Sequence, residues 1–142
     1  MIRQFKTTDL SEVMQIWLET NIQAHNFIPR NYWIDNYDLV KDLLPQAEVY
    51  VYENDTNGLI EGFVGLNENH IAGIFVRGVV QSKGIGKQLM DYVKTIKEKI
   101  SLVVYFKNKR AIDFYLRERF QRQSESFDES TGELELFMIW MR

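Results

Sequence analysis

The sequence predicts an α/β fold, a mixed sheet with helices packed on it. Three observations predict it. Short segments of alternating or β-branched residues are interleaved with segments of helical period. Strand pairs joined by turn-forming residues make antiparallel hairpins at residues 48–66 and at the C-terminal end. An apolar strand at residues 70–76 feeds a glycine-bearing loop, a helix and a second apolar strand ending near Phe106. That unit is a candidate right-handed crossover with local parallel pairing.

The elements follow in order. Residues 2–6 alternate apolar and polar and predict a short strand. Thr8 or Asp9 is placed to cap the helix that follows. Leu10, Val13, Met14, Trp17 and Leu18 recur at helical spacing and predict an amphipathic helix over 10–23. A loop, 24–29, carries His25 and Phe27. A second helix over 30–44 ends at Pro45. Valines and tyrosines alternate over 48–53 as a strand, Asn57-Gly58 marks the hairpin, and 59–66 is its partner. Residues 67–69 turn the chain into the strand 70–76, mostly apolar as a central strand should be. After the loop, Ile85, Leu89, Val93 and Ile96 mark one helix face, and residues 102–106 a buried strand. A helix over 108–118 buries Ala111, Phe114 and Tyr115, and strands 120–127 and 133–141 close the chain around the turn 128–132. The order is β-α-α-β-β-β-α-β-α-β-β, read as one domain over 1–142.

Composition narrows the function classes. The 142 residues are 45% hydrophobic and 26% charged, a globular mix with ample aromatic material for a core. A net charge of -3 gives no general attraction to nucleic acid or anionic membrane. With no cysteine there is no disulfide, no thiolate zinc site and no cysteine nucleophile. The N-terminus has no apolar signal segment, and no window reaches the roughly 20 apolar residues that span a bilayer. A soluble, cytoplasmic protein is expected.

The loop between the strand 70–76 and the helix after it is the most informative segment. Gly84 and Gly86 sit where a helix starts, so backbone N–H groups converge there with the positive end of the helix dipole. Lys83 and Lys87 add full charges, which suits a phosphate or pyrophosphate. The P-loop pattern fails twice, since Gln81 stands where its first glycine belongs and Gln88 where its Ser or Thr belongs. The dinucleotide fingerprint fails at Leu89. A tight strand-to-helix turn with no ligand is the plainer alternative.

Gln81-Ser82-Lys83-Gly84-Ile85-Gly86 resembles the Gln/Arg-x-x-Gly-x-Gly/Ala motif of the GNAT N-acetyltransferase superfamily. Downstream, Asn108-Lys109-Arg110-Ala111, followed by Phe114-Tyr115, is similar to the family's Asn-x-x-Ala-x-x-Phe-Tyr. The element order matches along the whole chain, as in the small single-domain bacterial members. Arg77-Gly78 stand where the family often has an acidic residue and proline, Ser82 where it often has glycine, and Arg119 where a glycine usually precedes Phe120. The last of these implies a final helix ending without its usual left-handed glycine.

The resemblance implies acetyl-CoA as donor, no metal, and direct transfer to a primary amine of a small molecule or a peptide. A non-catalytic acyl-CoA-binding or sensing domain is the alternative, and a homodimer is an open reading of the assembly. By resemblance the backbone of Ile74, Phe75 and Val76 would meet pantetheine and the acetyl carbonyl. Gln81, Ser82, Lys83, Gly84, Ile85, Gly86 and Lys87 would hold the pyrophosphate. Tyr115 matches the general acid, with a core aromatic as the plain alternative. Asn108 would cap its helix and touch the cofactor. His70 is the candidate base, being a histidine at the start of the central strand, with Glu68 or a water as alternatives. His25, Phe27 and Tyr32, with Asn26 and Trp33, are the candidate acceptor pocket. Lys107, Lys109 and Arg110 are candidates for the cofactor's 3′-phosphate or simply a solvated charged face.

Overall fold

The computed structural model describes residues 1–81 and 83–142. Among them the chain runs β1 (Ile2–Gln4), α1 (Leu10–Ala24), α2 (Arg30–Leu43), β2 (Glu48–Glu53), β3 (Ile60–Asn67) and β4 (His70–Val76). It continues through α3 (Ile85–Ile96), β5 (Lys99–Tyr105), α4 (Lys109–Arg117), β6 (Gln121–Phe127) and β7 (Leu134–Met141). This is the predicted order. The strands form one sheet in the order β1-β2-β3-β4-β5-β7-β6, with β4 in the middle. Among the described residues only β4 and β5 pair in parallel, joined through α3 as the crossover. No helix among the described residues is long and apolar enough to cross a membrane.

Alternation along the strands divides the core in two. Val49, Val51 and Phe63 pack with Met14, Ile16, Trp17 and Trp33, which puts α1 and α2 over one face. Tyr50 and Val64 pack with Leu89, Val93 and Ile112, which puts α3 and α4 over the other. α3 reads as predicted because Ile85, Leu89 and Val93 fall on one buried stripe.

One local expectation changes, and two others gain detail. Neither Thr8 nor Asp9 caps α1. Asp9 lies inside a 3-10 turn, Thr7–Asp9, that runs straight into the helix. Its carboxylate instead accepts the Lys6 amide at 2.8 Å and both guanidinium arms of Arg3 at 2.8 and 2.9 Å. The hairpin marked by Asn57-Gly58 forms, β2 pairing antiparallel with β3. Asn54 accepts the amides of Thr56 and Asn57 on its side-chain oxygen, and Gly58 takes φ 74° in a longer loop. At the end of α4 the left-handed position is kept without glycine: Arg119 adopts it at φ 72°. For an L-residue that conformation costs about 1 kcal/mol. It is compensated by Phe120, which is buried and whose amide donates to the Tyr115 carbonyl at 3.0 Å.

Candidate active site

A gap in the sheet makes the site. β4 and β5 are in register only at His70↔Ser101 and Ile71↔Leu102. On its other side β4 pairs Gly73 with Gly65 but Ile71 with Leu66, so Ala72 is an extra, bulged residue. A bulge bends the strand that carries it. β4 therefore leaves β5 just past Ile71, and the two open into a cleft of about 1070 Å³. Ile74, Phe75 and Val76 line it, which is why this central strand is only half buried.

The cleft leads to the start of α3. Gly84 precedes the helix at φ 83°, a conformation that glycine takes without strain, and no side chain among the described residues caps it. The first amides of a helix have no partner within it, so those of Ile85, Gly86 and Lys87 face outward beside the cleft. At Gly86 the protein itself does not require glycine. A Cβ there would meet Phe114 at 3.6 Å and Val76 at 3.7 Å, ordinary contact. The bare backbone leaves room for an anion to approach closely, and four residues of the motif, Gln81, Gly84, Ile85 and Gly86, line the cleft together with Lys87. Gln81 stabilises the loop: its side chain donates to the Val76 carbonyl at 3.0 Å and accepts from Arg110 at 2.8 Å. The Lys87 ammonium leans toward Glu118 at 3.3 Å and Asp91 at 3.4 Å. Lys83 is exposed and outside the lining, and Ser82 lies outside the described residues.

Tyr115 reaches the cleft from α4, on the α3 face of the sheet. It is buried against Phe114 and Phe120, and desolvation pushes its phenol well above its ordinary value. Asn108 caps α4, its oxygen accepting the Ala111 amide at 3.2 Å. Its amide nitrogen therefore faces His25 Nε2, 3.1 Å away, as the donor. The neutral His25 ring then carries its proton on Nδ1, a buried atom with no hydrogen bond. Trp33 stacks on this ring at 5.3 Å, while Phe27 and Tyr105 pack edge-on at 5.7 and 5.1 Å. Burial lowers His25 from 6.5 to about 4.

That shift has a sign. Between about pH 6.5 and 4 the unfolded chain takes up a proton at His25 that the folded chain refuses, so stability falls as pH drops through this window. After a discount for partial exposure the loss is about 2 kcal/mol. Urea melts at pH 7 and pH 5 should show it, and His25→Phe should flatten the difference. An equal pH slope in the variant would remove His25 as the cause.

His70 stands on the opposite face from Tyr115. Its Nδ1 lies 2.9 Å from Ser101 Oγ, and its half-burial lowers its pKa by desolvation. On β5 the same face carries Ser101, Val103 and Tyr105 in alternation.

The comparisons with known proteins fit this architecture. The model of the acetyltransferase (GNAT) domain matches residues 45–122. Peptidyl-lysine N-acetyltransferase YiaC of Escherichia coli (strain K12) is 36% identical, over 99% of this chain and 96% of that one. The chain belongs to the GNAT acetyltransferases. Its fold is shared with the apo-form of Escherichia coli YjaB, solved in solution (TM-score 0.88, 24% identity, 99% of this chain and 96% of that chain). It is also shared with yncA of Salmonella typhimurium, solved with its cofactor acetyl-CoA (TM-score 0.68, 14% identity, 99% and 92% covered).

In this GNAT acetyltransferase the cleft gathers Tyr115, His70, Asn108 and His25 with the α3 loop. It does not gather everything expected. Phe27 and Tyr32 are packing residues behind it, Phe27 against His25 and Tyr105, Tyr32 edge-on to Trp33 at 4.9 Å. Trp33 itself lines the cleft. Glu68 sits in the exposed β3–β4 turn at φ 55° and outside the lining. Lys109 and Arg110 line the cleft, and so does Lys107, which also pairs with Glu133 at 3.2 Å. Sequence reasoning missed Glu135 and Val103, both in the lining. Period-2 alternation alone could have put Val103 on the face of Ser101, but nothing in the sequence says that Val103 stays 42% exposed there.

Proposed function

We propose that this GNAT acetyltransferase takes acetyl from acetyl-CoA and passes it directly to a lysine amine of a peptide or protein, within one domain over 1–142. The observation that carries the reading is the split between β4 and β5, with uncapped α3 amides at one end and Tyr115 and His70 on its two faces. The donor set fits a pyrophosphate: Gly84 and the amides of Ile85, Gly86 and Lys87, which have no partner among the described residues, with Lys87, Lys109 and Arg110 supplying positive charge nearby. Splayed strands leave the backbone of Ile74 to Val76 with unpaired groups on the β5 side, and these would hold the pantetheine amides. When bound, the thioester supplies the activated acetyl group.

The two faces divide the proton work. Tyr115 stays protonated at neutral pH, because burial disfavours its phenolate, and so enters as a hydrogen donor for the departing sulfur. His70 stays neutral, because burial disfavours its cation, and so enters ready to accept. The basic tautomer is the one in which Nδ1–H donates to Ser101 Oγ and leaves the Nε2 lone pair free. A lysine ammonium must lose a proton before it attacks. The proton leaves the amine toward His70 on one face, and the sulfur gains one from Tyr115 on the other. The acceptor class is supported by the names of YiaC and YjaB, both peptidyl-lysine N-acetyltransferases.

Acetyl-CoA should raise the melting temperature, since a ligand of the native state stabilises it by mass action. Free thiol should then appear when a lysine peptide is added. No shift at saturating acetyl-CoA would sink the cofactor assignment. A shift without thiol release over a panel of amines would identify a binding domain instead.

A further inference from the structure

The cleft is electrically lopsided. Lys87, Lys109 and Arg110 line its α3–α4 end. At its β5–β7 end stand Tyr105 and Glu135, which face each other across the strands at Tyr105↔Glu135 and so share one face of the sheet. This is also the face of Val103 and Ser101, and Ser101 touches His70. Beside Tyr105 lies Asp128, whose two carboxylate oxygens are taken by the Tyr105 hydroxyl at 2.8 Å and the Ser130 amide at 2.9 Å.

Glu135 is different. Glu48, Glu118 and Glu133 each hold a lysine ammonium, at 3.0, 3.1 and 3.2 Å. Glu135 is half-buried, lines the cleft, and makes no ion pair or hydrogen bond among the described residues. Burial first, and the negative charge of Asp128 second, raise its carboxyl above the ordinary range. Lys107 also lines the cleft near this corner, but its ammonium is held by Glu133 at 3.2 Å. Asp128 and Glu135 make no ion pair among the described residues, and the negative field they leave is one that a cationic ligand relieves. The opposite end, rich in lysine and arginine, has the polarity an anionic cofactor relieves. A cleft of this polarity orients a substrate pair of opposite charge before any contact is made.

We propose that Glu135 is a specificity residue for the acceptor: its carboxylate receives the substrate's lysine ammonium and guides it along the Val103–Ser101 face toward His70. This rests on the functional reading above and goes beyond it by naming the group that recognises the cation. The ammonium is bound intact at Glu135, and its proton is lost only beyond it.

The test is steady-state kinetics of E135Q and E135D with a lysine peptide and acetyl-CoA. A charge-assisted hydrogen bond is lost in E135Q, so KM for the peptide should rise about tenfold. The kcat should stay within about twofold and KM for acetyl-CoA should not move. E135D, which keeps the charge, should recover much of the loss. An unchanged peptide KM in E135Q would overturn the proposal. So would a fall in kcat with peptide KM unchanged, which would place Glu135 in the chemistry instead. Wild-type turnover is measured first. If no lysine peptide is acetylated, the functional reading fails on its own, and the KM ratio of wild type to E135Q is read with whichever primary amine the wild type does accept.

Discussion

Tyr115→Phe should lower kcat by about 10²-fold, the lower end of what a positioned general acid contributes, while the thermal shift with acetyl-CoA stays intact. The substitution is clean. Tyr115 is 8% exposed and packs by its ring, against Phe114 at 5.5 Å and Phe120 at 5.8 Å. Phenylalanine keeps those contacts. Desolvation alone acts on the hydroxyl, with no hydrogen-bond partner among the described residues, so its removal strands no buried partner. A fall in kcat is then a loss of the donor and not of the fold. Comparing the variant's melting temperature with that of wild type checks this directly. A wild-type rate in the variant would return Tyr115 to the core as an ordinary aromatic.

Gly86→Glu should raise the KM for acetyl-CoA by about 10²-fold and leave kcat at saturation nearly unchanged. Two unit charges about 5 Å apart at an effective dielectric near 20 repel by about 3 kcal/mol, which is the source of that factor. Gly86→Ala separates charge from bulk. Its Cβ meets Phe114 and Val76 at ordinary distance, so the alanine variant should fold as wild type does and lose only part of the affinity. Equal affinity in the glutamate variant would mean that no anion sits over the first turn of α3, and the pyrophosphate assignment would go with it.

Much of the architecture was legible because periodicity and burial agree. α3 has one apolar stripe, and β2 alternates across two packed faces, so both read correctly. The α3 loop and the Asn108–Tyr115 segment could be singled out for a different reason: both motifs lie in local order along the chain, and both reach the cleft. The acceptor side was not legible. His25 is in the cleft and Phe27 behind it, although they are two residues apart: both rings pack edge-on to Tyr105, and His25 also stacks on Trp33, which lines the cleft. Glu135 was invisible because its significance lies in what does not pair with it. Sequence patterns report partners along one chain segment, whereas this carboxylate is set apart by its place in the folded cleft.

The two register pairs between β4 and β5 have a consequence for folding. β1 to β4 form an antiparallel meander, and β5, β7 and β6 form a second antiparallel set. Each half can assemble from contacts of its own, as units of cooperative folding often do. The seam between them, which α3 crosses, is held by two register pairs and is the thinnest joint in the sheet. A guest with amide groups of its own, lying in that seam, does the work of a missing length of strand. Cofactor binding and completion of the sheet would then be one event.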